Sequence, residues 1–189
     1  MSTTVYTYND KVLVNSANDK WLKKPEQPVD YVTIGTQTWK TTNLAVSMGT
    51  LNTDYIIRDG KYYYSVQSMV LRSYITSNYP GWHIPTMEEF NALKTAVSDS
   101  ASALAAAGFS IDETLGAYYY EDSNWNYQSD SYQYLMGNRY YNQQEGYWTY
   151  PYFRTSSSAL TVTSWEGEAW GDHLPSALAM PVRLIQDSE

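Results

Sequence analysis

The side chains able to do chemistry in this chain form a short set. There are two histidines, His83 and His173, and no cysteine in 189 residues. Without thiols, disulfides, zinc–thiolate centres and cysteine nucleophiles are excluded. Two histidines also fall short of a three-histidine iron or zinc centre unless carboxylates complete it. His83, within YPGWHIP, reads as a structural residue. The densest acidic cluster is SWEGEAWGD, with Glu166, Glu168 and Asp172. Three carboxylates on a loop have the right chemistry for Ca²⁺, which takes roughly 6–8 oxygens. In a chain of net charge -8 the plainer reading is a solvated acidic loop, and no metal or cofactor is expected. Glu121 with Asp122, or Glu166 with Glu168, are the pairs open to glycoside hydrolysis. That chemistry depends on carboxylate separation across a cleft, and no nucleophile motif accompanies either pair. The chain reads as a non-enzyme.

Its larger resource is aromatic. Tyrosine and tryptophan number 20 and 7, against only 3 phenylalanines, a choice that favours rings with a polar handle. In NRYYNQQEGYWTYPYF, residues 138–153, seven of sixteen positions are rings and none is Val, Ile or Leu. Eleven tyrosines between residues 118 and 152 exceed what a core absorbs without stranding hydroxyls. Tyr mixed with Ser, Gly and Asn is the composition of antibody paratopes, where large amphipathic area comes with few rotors to freeze. The expectation is a recognition surface built from Tyr147, Thr149, Tyr150, Tyr152, Phe153 and Arg154, and from Trp165, Glu166, Glu168, Trp170, Asp172 and His173. Tyr150, Tyr152 and Trp170 are the rings expected to touch a partner, with the acids adding polar contacts and Trp148 buried. The alternative is a structural network in which the aromatics pack against neighbouring subunits.

These residues need elements to position them. VYTYNDKVLV alternates as a strand and is followed by a Lys/Pro connector, so residues 1–28 read as a short hairpin or attachment module. Residues 29–189 form the main domain. VTIGTQTWKTTNL reads as a hairpin turning at Gly35, and SVQSMVLRSYI has near-helical spacing. PTMEEFNALKTAV carries a capping box, Thr86 with Glu89, and SASALAAAGF continues as helix to Gly108. Helices are expected near 65–76 and 86–97, with Trp39, Trp82 and Trp148 buried. Short aromatic strands follow, including ALTVT, with Leu160 and Val162 on one face, and a closing PVRLI. The class is α+β. No basic stripe points to nucleic acid, no apolar run is long enough to span a bilayer, and MSTTVYTYND carries no signal peptide.

QTWKTTNL, GKYYYSVQSM, YPGWHIPTMEEFNAL, EGYWTY and PVRLIQD occur in an order that resembles the Fibrobacter succinogenes major paralogous domain family, over roughly residues 30–187. The resemblance implies a C-type lectin-like fold: two helices, a twisted antiparallel sheet, and a long irregular ligand-binding region before the last strand. The family usually places cysteines where Tyr79 and Leu184 stand here, so the cross-link is absent with both partners. Export, frequent in the family, has no signal here. Enzymes of related fold that modify sulfatases use cysteines, which excludes their chemistry. The Glu-Pro-Asn and Trp-Asn-Asp calcium motifs of C-type lectins do not occur; Trp125-Asn126 is followed by Tyr127. Residues 146–178 also resemble the variable segment of retroelement-diversified lectin-like proteins of phages and gut bacteria. Trp and Glu at 165–170 sit outside the usual adenine-directed substitutions. The resemblance implies receptor binding to a cell-surface protein or glycan, virion-associated or assembled from the cytoplasm.

Overall fold

In the computed structural model, residues 5–8, 11–15, 21–22, 30–112, 116–121, 123–128, 133–144, 146–155, 159–168 and 178–187 are described. The chain divides into two compact units, Met1–Asp30 and Tyr31–Glu189. The first holds a three-stranded antiparallel meander, β1 (Val5–Tyr8), β2 (Lys11–Asn15) and β3 (Trp21–Leu22).

The second unit opens with β4 (Tyr31–Ile34), β5 (Gln37–Lys40), β6 (Tyr55–Arg58) and β7 (Lys61–Ser65). Then come α1 (Met69–Asn78), β8 (Trp82–His83), α2 (Met87–Ala96) and α3 (Ala101–Ala106). After them follow β9 (Ala117–Glu121), β10 (Asn124–Gln128), β11 (Gln133–Met136), β12 (Tyr140–Asn142), β13 (Tyr147–Thr155), β14 (Leu160–Glu168), β15 (Leu178–Met180) and β16 (Ile185–Gln186). The fold is mixed helix and sheet, mostly antiparallel sheet, with few helices. Four strands of this unit precede its first helix, so helices and strands interleave rather than segregating by halves.

Local chemistry explains the elements. The β4–β5 turn needs Gly35, which has φ +61° and whose absent Cβ would lie 3.1 Å from the Ala96 Cβ. Helix α1 starts later than its expected 65–76 span. Ser65 belongs to β7, and Ser68 is the cap, its hydroxyl accepting from the Leu71 N–H. The buried face of α1 is Leu71 and Ile75 at i, i+4, while Met69 and Val70 are exposed. Helix α2 begins at the expected capping box: the Thr86 side chain accepts from Glu89 N–H and the Glu89 carboxylate accepts from Thr86 N–H. Gly108, at φ +91°, follows the Ala107 cap of α3.

Three sheets carry this unit, in orders β10-β9-β15-β7-β6, β11-β13-β12 with β14 on the other edge of β13, and β4-β5-β16-β8. The closing PVRLI segment is strand only at Ile185–Gln186, where Ile185 pairs with both Trp39 and His83. Before that it docks through backbone: Lys40 N–H donates to Leu184 C=O and Leu44 N–H to Val182 C=O. Two large apolar clusters and a small one of Ile56, Tyr63, Tyr118 and Ala179 form the core. One gathers Leu71, Ile75, Tyr64, Tyr134, Tyr150, Tyr152, Met180 and Leu184, with Tyr79 packed against it. The other gathers Trp39, Phe90, Leu93, Leu104, Phe109, Leu135, Phe153 and Leu160. Of the three expected core tryptophans, Trp39 is fully buried, whereas Trp82 and Trp148 are half-buried.

Candidate binding surface

Strand β13 contains six of the twelve residues expected to meet a partner, and the structure buries four of them. Thr149, Tyr150, Tyr152 and Phe153 are at most 9% exposed. The reason is the position of the strand. β13 is central, paired to β11 and β12 along one edge and to β14 along the whole of the other. Its alternating side chains therefore enter two different cores: Tyr150 and Tyr152 join the first cluster, Phe153 the second. A strand buried on both faces cannot present rings to solvent. This corrects the exposed placement of Thr149, Tyr150, Tyr152 and Phe153. Tyr147 and Arg154 are half-buried. Trp165, Glu166 and Glu168 lie in strand β14, in backbone register with Tyr150, Thr149 and Tyr147, so Glu166 and Glu168 are not on a loop. Trp170, Asp172, His173 and Asp122 lie outside the described residues.

Exposed rings are found elsewhere. All three phenylalanines, Phe90, Phe109 and Phe153, are buried, while Tyr120, Tyr127, Tyr140 and Tyr141 are 42–46% exposed. The hydroxyl decides the difference, since a half-exposed tyrosine keeps its polar end wet. Tyr140 and Tyr141 stand on β12, a three-residue strand at the edge of its sheet. Tyr141 packs edge-on against Trp148 at 5.5 Å between ring centroids. The Arg139 guanidinium lies over the same indole at 4.5 Å. Its Nη2 donates to the exposed Met69 Sδ at 2.7 Å. Tyr147, also half-buried, lies on β13 in register with Asn142. It is the one predicted aromatic that adjoins this patch.

A second aromatic row runs across β9 and β10. Tyr118 faces Tyr127 and Tyr120 faces Trp125 in the antiparallel register, with ring centroids 5.0 and 5.4 Å apart. Tyr63 of β7 packs edge-on against Tyr118 at 4.7 Å, and burial raises the pKa of its phenol. The sequence signal for both patches was the doubled and tripled tyrosine. In a strand, adjacent residues face opposite ways, so a Tyr-Tyr-Tyr run places rings on both faces whichever one is buried.

His83 occupies a different place. Its Nε2 meets Glu89 at 2.9 and 3.0 Å, and its Nδ1 meets Asp187 at 2.5 Å. The Glu89 hydrogen bond, outweighing burial, raises the His83 pKa. Burial pushes Glu89 up, but its bonds to His83 and Thr86 prevail and hold it below the ordinary carboxylate range. An imidazole engaged by carboxylates at both nitrogens holds its protons and has no lone pair for base catalysis. His83 instead ties β8 to α2 and to the chain end. His83 lines one of two clefts, and its partners Glu89 and Asp187 line the other. A polar one of about 460 Å³ is lined by Gln37, Glu89, Gln186 and Asp187 among others. A smaller one of about 120 Å³ is lined by Arg72, Ile75, Thr76, Trp82, His83, Ile84 and Asn138.

Among the described residues no group of three or more His, Asp or Glu side chains is placed to hold a metal ion. No helix among them is long and apolar enough to cross a membrane. No protein-family model, curated protein or solved structure matches the chain.

Proposed function

We propose that this chain is a non-enzymatic ligand-binding protein of C-type lectin-like fold, one of the retroelement-diversified receptor-binding proteins of phages or gut bacteria. The observation that carries the recognition reading is the sorting of rings: phenylalanine is confined to the core, and tyrosines stand half-exposed on β9, β10 and β12. Rigid strands hold these rings at low conformational cost, which is what an aromatic recognition surface needs. Support for the fold comes from two ten-residue helices beside antiparallel sheets. Tyr79 and Leu184, where the resembled family has cysteines, both belong to the first apolar cluster, Leu184 within it and Tyr79 packed against it.

Diversification of 146–178 is expected at positions the core leaves free. Tyr147, Thr161 and Thr163 are half-buried candidates, whereas Tyr150, Tyr152 and Phe153 are core residues. Sequencing the gene beside its nearest template repeat tests this. Differences confined to template adenines support the reading, and an absent repeat with an invariant segment removes diversification from it. The recognition surface itself is tested by alanine at Tyr120, Tyr127, Tyr140 and Tyr141 in a cell-surface binding assay. Loss of binding with an unchanged melting curve supports it; full binding by the quadruple variant refutes it.

The separate N-terminal unit favours a second reading, a structural domain of a fibre or surface assembly. A three-stranded meander needs an apolar face packed against something to be stable by itself, which suits it to attachment. Deleting residues 1–28 is expected to leave the main unit folded and to change its oligomeric state. An unchanged oligomeric state counts against attachment.

A further inference from the structure

Two largely buried arginines of the second unit, Arg72 and Arg183, are held without a carboxylate among the described residues. Arg183 is almost completely enclosed: its Nε donates to Asn43 Oδ1, its Nη1 to Ser110 C=O, and its plane lies over Phe109 at 4.1 Å. Burial pulls its pKa down to about 9. No cleft described here reaches it, so its role is to hold the closing segment. Arg72 is different. Its Nε donates to Asn138 Oδ1 at 3.2 Å, its Nη1 to Ser68 C=O at 2.9 Å and its Nη2 to Val66 C=O at 3.4 Å. Guanidinium has five N–H groups, so one on each terminal nitrogen is left over. Arg72 also lines the 120 Å³ cleft.

Electrostatics agree with that geometry. Burial, then repulsion from Arg139, pulls the Arg72 pKa down to about 10. Among the described residues Arg139 itself meets a thioether and an indole face. Two neighbouring guanidiniums on a chain of net charge -8 make a local reversal of sign. No carboxylate is among the residues lining the cleft, and Glu89 and Asp187, which meet its lining residue His83, are engaged by that imidazole. Removing a cation from water without a counter-charge is costly, and a ligand anion would offset that cost.

We propose that the cleft between α1, β8 and the 137–139 crossing binds the carboxylate group of a ligand, with Arg72 as its cationic partner and the Asn138 side-chain amide as a neutral donor; Thr76 lines the cleft, but its hydroxyl already donates to Arg72 C=O. A volume of about 120 Å³ holds roughly four waters. It therefore admits a carboxylate and a few attached atoms, end-on. The rest of an acidic ligand lies outside the cleft, within the field of Arg139, which acts on Arg72. The planar fork of guanidinium suits a carboxylate at such a site in a way that ammonium does not. This deepens the recognition reading and rests on it, supplying one chemical group that the surface would select.

The full chain, ¹⁵N-labelled at low ionic strength, is titrated with sodium acetate, L-lactate, glucuronate and inorganic phosphate. Saturable shifts at the Asn138 side-chain amide and the Thr76 amide, with millimolar affinity for carboxylates, are expected. Tighter binding of glucuronate than of acetate identifies an acidic sugar as the source; equal binding identifies a free small carboxylate. Arg139→Gln should weaken binding several-fold with an unchanged melting curve, and Arg72→Lys should weaken it about tenfold or more. Arg72 holds the Val66–Ser68 segment, so Arg139→Gln keeps the test valid if Arg72→Lys unfolds. Absence of saturable shifts with every carboxylate overturns the proposal, as does equal affinity in Arg139→Gln. Saturation by phosphate alone overturns the assigned chemical class. Failure here with intact tyrosine-dependent cell-surface binding removes only the carboxylate site; loss of tyrosine dependence with intact carboxylate binding removes only the broader surface.

Discussion

Alanine at Tyr150 and Tyr152 should separate the two uses this chain makes of tyrosine. Both side chains are buried, at 5% and 9% exposure, and Tyr152 stacks on Tyr134 with ring centroids 5.7 Å apart. Truncating a large core aromatic costs about 3–5 kcal/mol. In a domain of this size each kcal/mol moves the melting temperature by about 2–4 °C, so each substitution should lower it by about 6–20 °C. Tyr140 is 43% exposed and makes no ring pair among the described residues. Its alanine variant should stay within about 0.5 kcal/mol. Tyr141 and Tyr120, 46% and 44% exposed, would also lose edge-on pairs with Trp148 and Trp125. Each of those pairs is worth about 0.5–1.5 kcal/mol. Scanning calorimetry and urea unfolding on the five variants measure the order. A melting curve unchanged by Tyr150→Ala, or lowered as far by Tyr140→Ala, would refute the assignment of β13 to the core and β12 to the surface.

Four further outcomes are expected. The His83–Glu89 pair makes stability pH-dependent. His83, with its pKa raised from 6.5, contributes fully below that value and loses the contribution as pH rises through the folded pKa; Glu89, lowered from 4.5, contributes above that value and loses it as pH falls. Stability from the pair should therefore peak between about pH 4.5 and 6.5, and His83→Gln should flatten the profile measured by thermal melts from acid to alkaline pH. Tyr64→Phe should cost about 1–3 kcal/mol by urea unfolding, because its hydroxyl accepts from Val46 N–H and its one proton is shared between the Leu44 and Val46 carbonyls. Gly137→Ala should destabilise by about 1–3 kcal/mol, since its Cβ would lie 2.8 Å from Pro151 O and 3.0 Å from Phe90. EDTA should leave both melting and ligand binding unchanged; a loss of either would mean that the acidic cluster at 166–172 holds calcium.

Where a short-range rule decides the structure, the sequence was a good guide. The Thr86–Glu89 box, the Gly35 turn, the Gly108 helix end and the Leu160/Val162 face all rest on contacts within a few residues or on simple alternation. Strand order is a long-range property, and there the reading failed. β13 has no Val, Ile or Leu, so its polarity pointed outward. Its burial follows from having neighbours on both edges, which a single strand's composition does not encode. The start of α1 was misplaced for a related reason: Val66, Met69 and Val70 imitate a helical face, but Val66 belongs to the strand-to-helix connection, where its N–H donates to Leu178 C=O. The candidate carboxylate cleft has no local signature because its α1 and β8 residues, Arg72, Thr76 and His83, are completed by Asn138, 66 residues from Arg72 in the chain.

Trp82 and Trp148 show how a core residue and a surface residue merge in this fold. Both indoles pack against the first apolar cluster, yet neither is closed over by chain. A cation closes each instead: the Lys40 ammonium lies 4.3 Å from the Trp82 ring centroid and the Arg139 guanidinium 4.5 Å from that of Trp148. Flexible cations can cover an aromatic face while keeping their charge wet. Such a lid can be shifted at little cost to the core beneath it, because the indole's other contacts are unaffected. Periodicity alone assigns a tryptophan to the inside and leaves out what lies above it. Here that omission matters most at Trp148, where the buried aromatic network of β13 and the exposed tyrosines of β12 meet.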